Sequence, residues 1–268
     1  MMSKLSLFRL IAALITGLFS ILAILYVLTP PVWNLKEGVI GVTRWPRDGE
    51  TIYWLNDKHP HWTPIEIVSR HTLHAIITAE DARFYNHNGL DYVEIEKSFK
   101  LNMEKGGYIR GASTITQQVV KMGFLSSEKS IFRKIQEAIG ALLVEKILSK
   151  EEILEWYINL AEFGDGVFGI RQAAQHYFKT APELLTIQQS THLALVLPSP
   201  NLWSKGLRQK KLTEFGHERF RHIIERMHRE GYITETLMQR ALETGDFGRS
   251  INSAPPDPNF VETENTKN

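Results

Sequence analysis

Ala79-Glu80-Asp81-Ala82-Arg83-Phe84-Tyr85-Asn86-His87-Asn88-Gly89 is the stretch on which the reading of this chain turns. It follows an apolar run, Leu73 to Ala79, patterned like the last turns of a buried helix. Two adjacent carboxylates emerge where that helix should end. A carboxylate partly withdrawn from water has a raised pKa, as a general base or acid working near neutral pH requires. Phe84 can wall a site, His87 can donate a hydrogen bond, and Gly89 lets the backbone turn sharply. Alone, these residues read more simply as an acidic helix end running into a polar loop. The rest of the chain decides between the two.

Toward the N-terminus, Pro64 suits a first helical turn after Thr63 as N-cap, which predicts a helix from there to about Ala79. Residues 30–64 are rich in proline and tryptophan and weakly periodic. They read as a membrane-proximal connector with one short strand at Val39–Thr43. Before them, Leu10 to Leu28 is an uncharged run of 19 residues, about the length that crosses a bilayer core of ~30 Å. Thr29-Pro30-Pro31 follows in place of a small-residue cleavage site. The expectation is a retained transmembrane anchor over 10–29. Lys4 and Arg9 would keep residues 1–9 in the cytoplasm, and Trp33 would lie near the outer interface.

Toward the C-terminus a helix is predicted over Tyr92–Met103, closed by Gly106-Gly107, with a loop at Tyr108-Ile109-Arg110. In the run from Gly111 to Lys121, Ser113 or Thr114 can cap a helix with Gln117 in capping-box register. Thr114, Gln118 and Lys121 can then share one face, where amides and hydroxyls meet sugar or phosphate oxygens. In Ile131–Leu148, Ile135, Ile139, Leu142, Leu143 and Ile147 form an apolar stripe that should be buried, with Arg133, Lys134 and Glu137 opposite. By itself, that opposite side reads as a solvated ion pair one turn apart. The next helix, opened by Lys150 and running over Glu151–Leu160, should bury Ile153, Leu154, Tyr157 and Ile158 and turn Glu155 and Asn159 outward. Further helices are expected at Ile170–Tyr177, Thr186–Leu197, Phe215–Met227 and Thr234–Leu242, with a disordered tail over 247–268. The glycine-rich turn Phe163–Gly169 lacks a dinucleotide fingerprint.

Composition narrows the field. The chain has 268 residues, 43% hydrophobic, with a formal net charge of +1, which suits one ordinary domain (here 65–246) and argues against a nucleic-acid binder. It contains no cysteine, which excludes disulfides, thiolate metal sites and a cysteine nucleophile.

Four stretches in order resemble the peptidoglycan glycosyltransferase (transglycosylase) family. The family's E-D-x-x-F-x-x-H-x-G motif is matched at Glu80, Asp81, Phe84, His87 and Gly89. G-x-S-T-x-T-Q-Q with a following lysine is matched at Gly111, Ser113, Thr114, Thr116, Gln117, Gln118 and Lys121. R-K-x-x-E falls on Arg133, Lys134 and Glu137, and I-L-E-x-Y-x-N on Ile153, Leu154, Glu155, Tyr157 and Asn159. The order and spacing agree over roughly residues 38–240, and a single anchor without a second large domain looks like the monofunctional branch. Ser126-Ser127-Glu128-Lys129 satisfies S-x-x-K, but no S-D-N or K-T-G follows. Met122 and Gln188-Gln189-Ser190-Thr191 depart from the family pattern and put a polar contact and a helix-packing or substrate contact in question.

The resemblance implies a mainly α, lysozyme-like domain with a membrane-associated subregion, single-pass in the inner membrane and facing the periplasm. It implies polymerisation of lipid II onto a growing glycan chain with release of undecaprenyl pyrophosphate. Glu80 would be the general base and Glu137 the second important carboxylate. Asp81, Phe84, His87, Ser113, Thr114, Gln117, Gln118, Lys121, Arg133, Lys134, Glu155 and Asn159 would bind substrate. A divalent cation, Mg²⁺ or Mn²⁺, would sit near Asp81 or Glu137, with no organic cofactor; the partners would be the membrane and cell-division or elongation proteins. Two other readings stay open on the residues alone: a lysozyme-like hydrolase or lytic transglycosylase, and a non-catalytic tethered scaffold. A hydrolase must protonate a departing sugar oxygen and has little use for several cations. The set Lys121, Arg133 and Lys134 favours departure of a diphosphate.

Overall fold

Side-chain caps fix where most helices of this protein begin. Thr114 with Gln117, Ser149 with Glu152 and Thr186 with Gln189 each close a reciprocal capping box, while Asp91, Ser130, Thr213 and Thr234 cap with one side chain. The structure, a computed structural model, describes residues 4–38, 40–44, 51–107, 111–126, 128 and 130–244. Trp45, the Tyr108–Arg110 loop, Ser127, Lys129 and the tail over 247–268 lie outside the described residues. In chain order the elements are α1 (Lys4–Leu28), β1 (Ile40–Arg44), β2 (Thr51–Leu55), α2 (Arg70–Glu80), α3 (Tyr92–Lys105), α4 (Ile115–Phe124), α5 (Ile131–Ile147), α6 (Lys150–Leu160), β3 (Glu162–Gly164), β4 (Val167–Phe168), α7 (Ile170–Phe178), α8 (Ile187–Val196), α9 (Pro200–Gln209), α10 (Glu214–Arg229) and α11 (Glu235–Glu243). The protein is mainly helical. Among the described residues no helix is long and apolar enough to cross a membrane, and several side chains of α1 lie outside them.

The core forms where α2 packs on α8 and α4 packs on α5 and α6, with α10 laid across α2 and α8. Ile76 and Ile77 of α2, Val119 and Val120 of α4, Ile153 and Ile158 of α6 and Leu193 of α8 are completely buried. The Gln188–Thr191 departure belongs to this packing: Ser190 and Thr72 of α2 share a 2.8 Å hydroxyl–hydroxyl hydrogen bond, and Thr191 bonds back to Ile187. Met122 is half-buried against the same core.

Several expectations change. The helix before Glu80 starts at Arg70; residues 65–67 form only a 3-10 turn and Val68 is extended. The reason lies in α6. Asn159 accepts from the Thr63 amide at 2.8 Å and donates to the Thr63 carbonyl at 2.9 Å, while Glu155 accepts from the Ile65 amide and the Trp62 indole. Glu155 and Asn159 therefore turn inward, Asn159 being only 2% exposed, and these bonds hold 62–65 against α6 as irregular chain. In place of one strand, β1 and β2 form an antiparallel hairpin with Ile40 opposite Leu55, both buried, and β1 packs on α4. The turn after α6 is likewise a small β3–β4 hairpin. Pro200 starts α9, where a missing N–H costs nothing.

The largest reversal is in α5. Its buried face is Glu137, Gly140, Ala141 and Val144; of the predicted stripe, Ile135 and Leu142 are 44% and 40% exposed, while Leu143 and Ile147 pack half-buried against the core. Small residues explain the choice. A Cβ at Gly140 would come within 2.6 Å of Val120 and 2.8 Å of Pro30, so only the glycine side lets α4 approach this closely.

Candidate active site

Helix α2 ends on Glu80, with Asp81 as its C-cap, and sends the two carboxylates into different surroundings. The Glu80 Oε2 accepts a 2.9 Å hydrogen bond from the Gln118 amide, whose own carbonyl accepts from the Tyr157 hydroxyl at 3.3 Å. Burial raises the Glu80 pKa above the usual carboxylate range. The Gln118 bond and the charges of Arg219 and Lys121 oppose that rise, and neighbouring Asp81 adds to it. Burial, then Glu80 and Asp81, hold the Tyr157 phenol well above its ordinary pKa, so it stays a donor to Gln118.

Asp81 is buried and internally bonded. Both its oxygens face His87 Nε2, at 2.9 and 3.0 Å, and Oδ2 also accepts from the Ile115 amide at 2.9 Å, in the first turn of α4. A carboxylate is favourable there because the helix N-terminus presents unpaired N–H groups. Gly89 completes the turn. Its φ is +88°, and a Cβ would meet the Ala141 carbonyl oxygen at 2.8 Å, so both conformation and space demand glycine.

Glu80 and Asp81 open into a cavity lined also by Arg83, Asp91, Glu94, Gly111, Ser113, Thr114 and Arg226. Ser113 connects it to α5: the Lys134 ammonium donates to Ser113 Oγ at 2.7 Å and pairs with Glu137. Glu137 is 2% exposed, which excludes the solvated surface pair. Arg133 is half-buried, and its Nε and Nη1 are enclosed without an acceptor among the described residues. Lys121 is exposed, and its charge reaches Glu80. The structure thus joins Glu80, Gln118, Ser113, Lys134 and Glu137 through direct contacts and a shared cavity.

Other predicted site residues are occupied by the fold. Phe84 is fully buried, with the Lys150 ammonium 4.4 Å over its ring, and does not wall the cavity. His87 faces Asp81. Thr114 and Gln117 form the α4 capping box, and Thr114 Oγ1 also donates to the Gly89 carbonyl at 2.6 Å. Glu155 and Asn159 bind the 62–65 segment rather than the cavity. Sequence reading assigned no role to Tyr157, Arg219 or Arg226. The two arginines are seven apart on an amphipathic helix, a recoverable signal once its apolar face is known to pack on α2 and α8.

The residues near which a divalent ion is expected, Asp81 or Glu137, are each engaged by protein groups. Asp81 oxygens already face His87 and a backbone amide, and Glu137 pairs with Lys134. Asp81, His87 and Asp91 lie close enough together to suggest a metal, but Arg83 and two backbone amides already bind Asp91.

A helical domain with an enclosed carboxylate beside a set of cations has the makings of a group-transfer enzyme acting on an anionic leaving group. The transglycosylase family pattern matches residues 48–228, and the chain belongs to that family. It is 39% identical over 188 residues to a protein of Dechloromonas aromatica named biosynthetic peptidoglycan transglycosylase, covering 65% of this chain and 81% of that one. A protein of the same name from Nitrosospira multiformis is 41% identical over 166 residues, 62% of this chain and 70% of its own. One from Paraburkholderia xenovorans is 44% identical over 144 residues, 54% and 60% respectively.

Proposed function

We propose that this protein is an inverting peptidoglycan glycosyltransferase that polymerises lipid II into β-1,4-linked glycan, with Glu80 as general base. The 4-hydroxyl of an N-acetylglucosamine attacks C1 of the N-acetylmuramic acid ending the growing chain. Its proton passes to Glu80, the new C1–O bond forms on the β face, and the α C1–O bond to diphosphate breaks. The electron pair leaves with undecaprenyl pyrophosphate. Gln118 binds Oε2 of Glu80, so Oε1 is the oxygen that takes the proton. The leaving group needs neutralised charge rather than a proton, which Lys121, Arg133 and Lys134 supply, with Glu137 orienting Lys134.

The observation that carries this reading is the contact chain from Glu80, through the cavity and Ser113, to the Lys134–Glu137 pair. The decisive assay is lipid II polymerisation followed on a gel that resolves glycan lengths. Glu80→Gln should lower the rate at least ~100-fold. Undiminished polymerisation would remove Glu80 from the mechanism. A protein that shortens finished sacculi instead would be a hydrolase.

The same proposal includes a lysozyme-like domain held at the inner membrane by α1. With 25 residues at ~1.5 Å rise, α1 reaches about 37 Å, and the apolar run Leu10–Leu28 lies within it. Exposed Ile131, Phe132 and Ile135 of α5, Val93, Phe99 and Met103 of α3, and Trp33 supply an apolar surface toward lipid. Gln136 of α5 donates to the Val27 carbonyl of α1 at 2.8 Å, so this surface adjoins the anchor. Trp62 belongs elsewhere, buried edge-on against Trp156. Donor and acceptor both hang from lipid tails, so tethering confines the search to a plane.

A further inference from the structure

Arg226 lines the same cavity as Glu80 and Ser113 but comes from α10, an element outside the four matched motifs. Arg219 lies two turns earlier, hence on the same face of the helix. Its guanidinium stands over the Trp203 ring at 5.3 Å, and its enclosed Nε has no acceptor among the described residues. The other cation lining the cavity, Arg83, is bound to Asp91 at 3.0 Å. Arg226 reaches instead along its own helix, 3.6 Å to the partly exposed Glu230.

The two sets of cations lie on different parts of the domain. Lys134 and Arg133 are on α5, which packs on α4 and α1. Arg219 and Arg226 are on α10, which packs on α2, α8 and α11. A diphosphate joined to a lipid tail belongs near the anchor and α5. The sugars of the substrate are uncharged; Arg219's charge already acts on Glu80, whereas Arg226, with only a 3.6 Å partly exposed pair to Glu230, can take a further anion from the cavity. On lipid II that anion is a carboxylate of the peptide carried by the lactyl group of muramic acid. We infer that Arg226, supported by Arg219, is a substrate-binding residue holding a stem-peptide carboxylate on the α10 wall of the cleft. Arginine suits this, because its planar fork meets a carboxylate with two parallel hydrogen bonds.

The inference rests on the glycosyltransferase reading, and the test separates their failures. Full-length protein in detergent is assayed on lipid II and on lipid II whose stem-peptide carboxylates are converted to primary amides. Arg226→Ala should raise KM for ordinary lipid II about tenfold with kcat changed less than twofold, as loss of a charge-assisted bond predicts. The amidated substrate should show a similar KM rise with wild-type protein and no further rise with the variant. Arg226→Gln, which keeps most of the side-chain bulk, should behave like the alanine variant. Glu230→Gln, which removes only the along-helix pair, should leave KM unchanged. An equal KM rise on both substrates would assign Arg226 to the diphosphate or to folding, and an unchanged KM would remove it from binding; either outcome overturns the inference. Failure of wild-type protein to polymerise either substrate would instead overturn the glycosyltransferase reading.

Discussion

Two sets of helices in this molecule, α8 with α10 and α3 with α5, treat apolar residues in opposite ways. In one, α8 is buried along nearly its whole length and α10 buries Phe220, Ile223, Ile224 and Met227. In the other, α3 buries only Ser98 among its described side chains, and α5 buries one carboxylate, two small residues and a valine. The α8–α10 side satisfies its apolar face with protein. The α3–α5 side leaves Phe99, Met103 and Ile131 exposed by 65%, 68% and 83%.

Truncating the protein-packed side should have the largest effect on stability. Leu193→Ala in α8, fully buried, should cost ~2–5 kcal/mol in denaturant unfolding, because the transfer and cavity terms add. A cost below ~1 kcal/mol would mean that side is loosely packed. Gly89→Ala should cost about 2 kcal/mol or more, since the new Cβ meets both a positive φ and the Ala141 carbonyl. Asn159→Ala, which leaves the buried Thr63 amide and carbonyl without their side-chain partner, should cost ~1–3 kcal/mol.

A pH titration sharpens the contrast, because the compact side encloses neutral histidines. Burial lowers His192 to about 3 and His74 to about 4, from an ordinary 6.5. The unfolded chain therefore binds protons at higher pH than the folded one. Their contribution is present above about pH 6.5 and is lost progressively as pH falls toward 4 and then 3. Tm should fall over that window, and His192→Gln should flatten the decline. The smallest stability effect belongs to the exposed apolar residues of α3 and α5, proposed above to face lipid. Ile131→Ser should change stability by less than ~0.5 kcal/mol while weakening binding of the protein to lipid vesicles. A larger destabilisation, with vesicle binding intact, would place Ile131 in a protein contact and break the comparison.

Much of this was legible in the residues. Ser113 or Thr114 with Gln117 announced the start of α4, where the structure takes Thr114; Gly106 announced the end of α3, and the junction of Glu80 with an apolar helix its raised pKa. The errors share one cause: periodicity locates faces but does not name their partners. For α5 the stripe of large apolar residues was taken for the buried face, while Gly140 admitted close approach from the other side. Glu155 and Asn159 were taken as outward because they are polar, yet each satisfies backbone groups of the irregular 62–65 segment. Arg226 was invisible as a site residue because its place in the cavity depends on how α10 crosses α2.

The sequence by itself determined which residues carry charge, hydroxyls and caps, and hence the helices, the carboxylate pair and the bank of cations. Those properties are local, set by side-chain chemistry and by spacing within a few turns. Only the tertiary structure decided that Asp81 is bonded to His87 and the Ile115 amide while Glu80 is bonded to Gln118, that Lys134 reaches Ser113, and which side of α5 meets solvent. Such choices depend on how closely two backbones can approach and on which buried polar group finds a partner, and both involve residues far apart in the chain.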